Sequence, residues 1–166
     1  MTQIHPLRPF LPADTVRLQD LLAQSIEELT QDDYDEDQRI AWMSRAADTE
    51  ALARRLVKNV TLVVERDGEI LGFACLKDNE EVDLLFVHPF AAGEGVGSAL
   101  LAAIETIATA RGAAKLTADV SDTAHDFFHD RGYEPVRRNN FPIGDVWLAN
   151  TTMTKTIGGP AKETKP

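Results

Sequence analysis

The sequence predicts an α/β fold, a mixed and largely antiparallel sheet of about six to seven strands flanked by helices. Two changes of hydrophobic period and one glycine cluster carry that expectation. Residues 16–58 place apolar side chains at helical spacing, and residues 60–89 switch to β-branched runs separated by turn residues. Gly93, Gly95 and Gly97 then stand between an apolar segment ending in His88-Pro89 and a run rich in Ala, Leu and Ile. Glycine admits backbone angles and close approaches that other residues resist, so this cluster implies that something comes near the backbone.

Taken in order, residues 3–8 read as a short strand, and Asp14 offers an N-cap for an amphipathic helix bearing Val16, Leu18, Leu21, Leu22, Ile26 and Leu29. After an acidic turn a second short helix carries Gln38, Ile40, Trp42 and Met43, and Asp48 caps a third over residues 51–58. Three strands follow, joined through residues 66–68 and 78–80, as an antiparallel meander. Pro89 ends the last of them because it cannot donate to a ladder. The helix after the glycines runs to about Arg111, with Val96, Leu100, Ile104 and Ile107 on one face and Gly112 at the C′ position. A strand at KLTADV, a helix capped by Asp122 and ended by Gly132, and two strands, YEPVRR and DVWLANTTMTK, complete the pattern. The expectation is one domain over residues 1–156 and a polar tail at 157–166.

Composition excludes several classes. The net charge of −10 repels a nucleic-acid backbone, and no segment approaches the ~20 apolar residues of a membrane span. With no secretory pattern at the N-terminus, a soluble cytoplasmic protein is expected, with neither nucleic acid nor membrane as partner. Cys75 is the sole cysteine, so there is no internal disulfide, and its apolar surroundings suit a buried inert thiol rather than a nucleophile. His125 and His129, four residues apart, fit either a metal on a helix face or a solvated face; the HExxH pattern is missing and no metal cofactor is expected. Residues 27–38 hold seven carboxylates and no base. They form a solvated loop and helix start, an attractive field for a cationic amine, or both.

The glycines match neither GxxxxGK[ST], which needs a lysine, nor GxGxxG, where Ser98 falls at the third glycine. What remains is strand, proline, glycine turn and helix. The first amides of such a helix lack internal partners and suit an anion such as a pyrophosphate; the alternative is a tight strand-to-helix turn.

The segment LFVHPFAAGEGVGSALL resembles the phosphate motif of the GNAT superfamily of acyl-CoA-dependent N-acetyltransferases, and SDTAHDFFHDRGYEPV resembles that family's later helix. The resemblance runs through most of residues 3–155, and DDYDEDQRIAW and GDVWLANTTMTK are similar to a bacterial subgroup. It implies acetyl-CoA as cosubstrate, bound in a cleft at the strand end before the glycine loop. The pantetheine arm would lie along Phe86 and Val87, and the pyrophosphate on Glu94, Gly95, Val96, Gly97 and Ser98. Ala92 stands where the motif prefers Gln or Arg, and Glu94 where a base is common, so the phosphates lose side-chain help and meet a carboxylate. Ser121 replaces the family's Asn and Phe128 its Tyr, and a phenyl ring has no proton to give.

An alkylamine is only about one part in a few thousand neutral at pH 7, so transfer to it needs a base. The family position for that base is Glu81, and Asp83, two residues on along the strand, is the second candidate; the alternative for each is a polar strand residue facing solvent. Tyr34, Gln38 and Trp42 recur every four residues and, if the helix begins early enough, share a candidate face for a cationic amine; core packing accounts for Trp42 equally well. Tyr133 is a candidate proton donor or a core aromatic, His88 a turn residue or a base, and Arg137 and Arg138 carboxylate ligands or charge balance. The implied function is direct acetyl transfer to a primary amine of a small molecule or peptide. The alternatives are an acyl-CoA-binding or sensing module with little catalysis, and a nucleotide-binding module; a homodimer is left open.

Overall fold

The computed structural model describes residues 5–158. The elements are β1 (Leu7–Pro9), α1 (Thr15–Leu29), α2 (Glu36–Ser44), α3 (Thr49–Lys58), β2 (Val60–Arg66), β3 (Glu69–Lys77), β4 (Glu81–Val87), α4 (Val96–Ala110), β5 (Lys115–Ser121), α5 (His125–Asp130), β6 (Glu134–Ile143) and β7 (Val146–Thr156). They build one seven-stranded sheet in the order β1-β2-β3-β4-β5-β7-β6, antiparallel everywhere except between β4 and β5. The expected α/β fold with a largely antiparallel sheet is the fold observed.

Each face of the sheet has its own core. On one side α1 buries Leu18, Leu21, Leu22 and Ile26 and α3 buries Leu52 and Leu56 against Val63, Ile70 and Phe73. On the other, α4 lays Val96, Leu100, Leu101, Ile104 and Ala108 on Val64, Ala74, Leu76, Leu116 and Ala118. A strand covered on both faces reads as a continuous apolar run, which is why β3 shows no alternation.

Local details differ from expectation where a side chain finds a stronger partner. Asp48 caps α3 by accepting from the Ala51 amide at 3.0 Å. Asp14 does not cap α1 in this way: its carboxylate accepts two bonds from Arg8, at 2.8 and 3.0 Å, and one from the Leu11 amide. Those contacts hold its carboxyl below the usual range and tie β1 to the start of α1. Asp122 likewise binds Arg138 instead of capping α5; Ser121 Oγ accepts from the Ala124 amide at that turn. Ile157 and Gly158 both donate to the Ala114 carbonyl, so the packed body runs past residue 156. Residues 3–4 of the expected first strand and 159–166 of the expected tail lie outside the described residues.

Gly72 decides how closely α4 sits on the sheet. A Cβ there would lie 2.8 Å from Val96 Cγ1 and 3.0 Å from the Phe86 carbonyl oxygen. Both neighbours are anchored, Val96 in the core and the carbonyl in β4. Gly72→Ala is expected to destabilise the fold by about 1–3 kcal/mol through overpacking, read as a fall of several degrees in Tm; an unchanged Tm would show that α4 can move away at no cost.

Candidate active site

The site begins with a break in the sheet. β4 and β5 share a single bridge, Glu81 to Thr117, supported by the Thr117 amide donating to the Glu80 carbonyl at 2.9 Å. From Val82 to Val87 no residue of β4 has a partner on β5. The cause lies on the other side of β4. Leu76 pairs with Val82 but Cys75 with Leu84, leaving Asp83 as an extra residue in a bulge, which bends a strand and increases its twist. The strands part, and a cleft of about 420 Å³ opens between them, within the range of small-molecule sites.

Helix α4 starts at the mouth of this cleft. Gly95, at φ +88°, turns the chain into the helix, and the first intrahelical bond runs from the Ala99 amide to Gly95 O at 3.0 Å. The amides of Val96, Gly97 and Ser98 precede that bond, and with the helix dipole they form an anion cradle. Gly97 is glycine for a second reason: a Cβ there would meet the Phe127 ring at 3.2 Å.

Charge at the cradle differs from the sequence-based expectation. Glu94 does not confront an incoming phosphate uncompensated, since Arg66 pairs with its carboxylate at 3.2 Å while His5 Nε2 reaches its backbone oxygen at 2.7 Å. Arg131, which sequence reasoning passed over, brings a cation to the first turn of α4. Its guanidinium stacks 3.8 Å from the Phe127 ring centroid, donates through Nε to Ser98 Oγ at 3.0 Å, through a second nitrogen to the same oxygen, and through a third to the Phe127 carbonyl. Its signal in the sequence was the Arg131-Gly132 helix end.

Inside the cleft the two expected carboxylates part ways. Glu81 lines the floor and is half-buried, and burial first, then the nearby Asp83 charge, raises its carboxyl above the usual range. Asp83 is a correction to the expectation of a second free base. In the bulge it no longer continues the strand alternation, and Arg55 of α3 grips it through two bonds, at 2.7 and 2.9 Å. Asp119 of β5, also in the lining, accepts from Thr152 Oγ1 at 2.6 Å.

The expected aromatic face is assembled differently too. Tyr34 precedes α2 instead of belonging to it; its hydroxyl donates to the Ala149 carbonyl at 2.8 Å and accepts from the Asp122 amide at 3.0 Å. The ring is thereby fixed as a wall, 5.3 Å from Trp42, which in turn lies 6.3 Å from Phe86. Gln38 is outside the cleft lining. It closes a capping box with Asp35 and donates to the Trp147 carbonyl. The acidic run contributes only Leu29, Thr30 and Tyr34 to the cleft, because Asp35 is spent on capping, Glu27 faces Arg39 and Asp33 accepts from Thr123.

Of the remaining candidates, Ser121 and Phe128 line the cleft, with Phe128 packed edge-on against Tyr133. Tyr133 is fully buried and donates to Glu105 at 2.9 Å; burial raises its phenol, and it does not reach the lining. His88 accepts from the Phe90 amide in the turn after β4. Arg138 is held by Asp122, and Arg137 by Asn139 and Thr152. Cys75 is buried and its thiol pushed up to about 11, chiefly by desolvation.

The cradle generates a test. Arg131→Gln is expected to raise the Kd for CoA about tenfold and to flatten its salt dependence in calorimetry, as loss of a partly exposed cation beside an anion requires. Unchanged affinity and salt dependence would confine Arg131 to packing Phe127 on Ser98.

Comparison with known proteins agrees with this geometry. Residues 30–157 match the family model described as an acetyltransferase (GNAT) domain. The uncharacterized N-acetyltransferase YafP of Escherichia coli is 26% identical over 147 residues, 89% of this chain and 93% of that protein. The crystal structure of a GCN5-related N-acetyltransferase from Rhodopseudomonas palustris superposes with a TM-score of 0.91 at 46% identity, covering 94% of this chain and 98% of that one. PaiA N-acetyltransferase from Thermoplasma acidophilum, solved with coenzyme A, shares the fold at a TM-score of 0.77 and 19% identity, over 93% and 99% of the two chains. The open β4–β5 edge, the amide cradle of α4 and the family match lead to one conclusion: the chain belongs to the GNAT superfamily and is an acyl-CoA-dependent acetyltransferase.

Proposed function

We propose that this enzyme passes the acetyl group directly from acetyl-CoA to a primary amine of a small molecule or peptide, with Glu81 as the general base. The observation that carries the reading is the position of Glu81 at the point where β4 and β5 part, half-buried on the cleft floor with its carboxyl raised. The neighbouring residues fit the cosubstrate. The unpaired edge of Phe86 and Val87 offers backbone groups to the amides of a pantetheine arm, and the α4 cradle with Arg131 suits phosphates.

Acetyl-CoA supplies an activated acyl carbon. The amine nitrogen attacks it as its proton passes to Glu81; the C–N bond forms, the C–S bond breaks, and its electron pair leaves on sulfur. Phe128 gives the sulfur no proton, and none is required, since a thiol of pKa near ~8.5 departs as thiolate. A covalent acyl-enzyme has no support, because Cys75 is buried with a thiol raised to about 11. Sharing a compartment with acetyl-CoA, the enzyme would act in the cytoplasm.

Glu81→Gln is expected to lower kcat/KM at neutral pH by about 10²-fold with CoA affinity intact. Alkaline pH should restore much of the loss, as the amine then deprotonates unaided. In the wild type the rate should climb as pH rises through the elevated Glu81 pKa. Stability moves the opposite way. A folded carboxyl with a raised pKa contributes stability that is present below the unfolded pKa and lost as pH rises through the folded one, and Glu81→Gln should remove that pH dependence. Wild-type rates in Glu81→Gln across this range would transfer the role of base elsewhere.

Asp83→Asn separates the two carboxylates. It should lower Tm, because Arg55 loses its partner, while leaving the pH at which the rate rises near that of the wild type or slightly below it. A 10²-fold loss of turnover that alkaline pH restores would instead make Asp83 the base.

A further inference from the structure

We infer that the acceptor is an apolar or aromatic amine that also carries a carboxylate, and that Arg45 is the residue that selects for it. The inference rests on the proposed transfer to an amine and specifies which amine.

Beyond Glu81 the acceptor half of the cleft is walled by Tyr34, Trp42, Phe141 and Leu148, all in its lining. Several polar atoms of that wall are already used, while Ser25 Oγ and Asn150 Nδ2 remain open to a ligand. Tyr34 has both its donor and its acceptor engaged, Thr30 Oγ1 donates to the Ile26 carbonyl at 2.6 Å, and Asn150 Oδ1 accepts from Asn139 at 2.8 Å. A polyamine chain would find apolar walls there and no free carboxylate besides Glu81 and Asp119, since Arg55 neutralises Asp83. Burying a charged or hydrogen-bonding chain against such walls without partners is unfavourable.

Arg45 supplies the opposite charge. It follows Trp42 by three residues at the end of α2, so both side chains point to one helix face, and both line the cleft. Its guanidinium lies 5.0 Å from the Phe141 ring centroid across the opening. Among the described residues it has no carboxylate within ion-pair distance, whereas Arg8, Arg55, Arg66 and Arg138 each have one. A planar guanidinium over an aromatic ring, exposed and unpaired, is placed to take a carboxylate in a bidentate fork while the ring packs on the apolar body of the same ligand. Free apolar amino acids and short peptides with an apolar N-terminal residue share this chemistry.

The test compares L-phenylalanine, phenylalanyl-glycine, phenethylamine, glycine and spermidine as acceptors for the wild type and Arg45→Gln. For the wild type, kcat/KM for phenylalanine or the dipeptide should exceed that for phenethylamine, glycine and spermidine by about tenfold or more, and the better of the first two identifies the source. Arg45→Gln should abolish the advantage of phenylalanine over phenethylamine through KM, with the KM for acetyl-CoA unchanged. A second readout needs no turnover: N-acetyl-L-phenylalanine should bind the CoA complex about tenfold tighter than N-acetylphenethylamine in calorimetry, and Arg45→Gln should erase the difference. That binding result upholds the inference even if Glu81 proves not to be the base. Equal binding of the two acetylated ligands, spermidine as the preferred acceptor, or an unaltered preference in Arg45→Gln would overturn it.

Discussion

Everything functional in this molecule depends on the failure of two neighbouring strands to stay paired. β4 and β5 meet at Glu81 and Thr117 and nowhere beyond, and the bulge at Asp83 is the local reason. From Val82 to Val87 the β5 side of the strand has no partner, so its outward backbone donors and acceptors face the cleft. The same divergence makes the cleft, and it leaves Glu81 at the apex, where partial burial raises its carboxyl.

The two cores hold the divergence open. On one face Asp83 is fastened by Arg55 of α3, and Phe86 stacks 5.9 Å from Phe73 and near Trp42. On the other, Gly72 and Gly97 let α4 and Phe127 press close enough that the amide cradle faces the cleft mouth. Close packing transmits such constraints because interiors have little free volume to absorb a shift. The strand edge and the helix terminus are therefore packed against the same side chains.

Charge is arranged locally in a way that the net value of −10 conceals. Glu94 is covered by Arg66, Asp83 by Arg55 and Asp122 by Arg138, while among the described residues Arg131 and Arg45 have no carboxylate partner and lie over the Phe127 and Phe141 rings. The carboxylates of residues 27–38 are absent from the cleft lining; among them Asp35 caps a helix, Glu27 meets Arg39 and Asp33 meets Thr123.

The sequence by itself determined the element order, the antiparallel meander, the glycine turn into α4 and the family, because hydrophobic period, turn residues and motif order are local properties. It also singled out Glu81, Phe86, Val87, the cradle glycines, Tyr34 and Trp42 as neighbours of a cleft. Tertiary structure alone decided which charges are free. Whether Asp83 is a base or an ion-pair partner depends on Arg55, 28 residues away, and on a one-residue bulge that no alternation pattern reveals. Arg131 reaches Ser98 across 33 residues, and Arg45 meets Phe141 across the open cleft. Pairings of that separation are set by how the sheet twists and the helices dock, and a linear pattern carries no record of either.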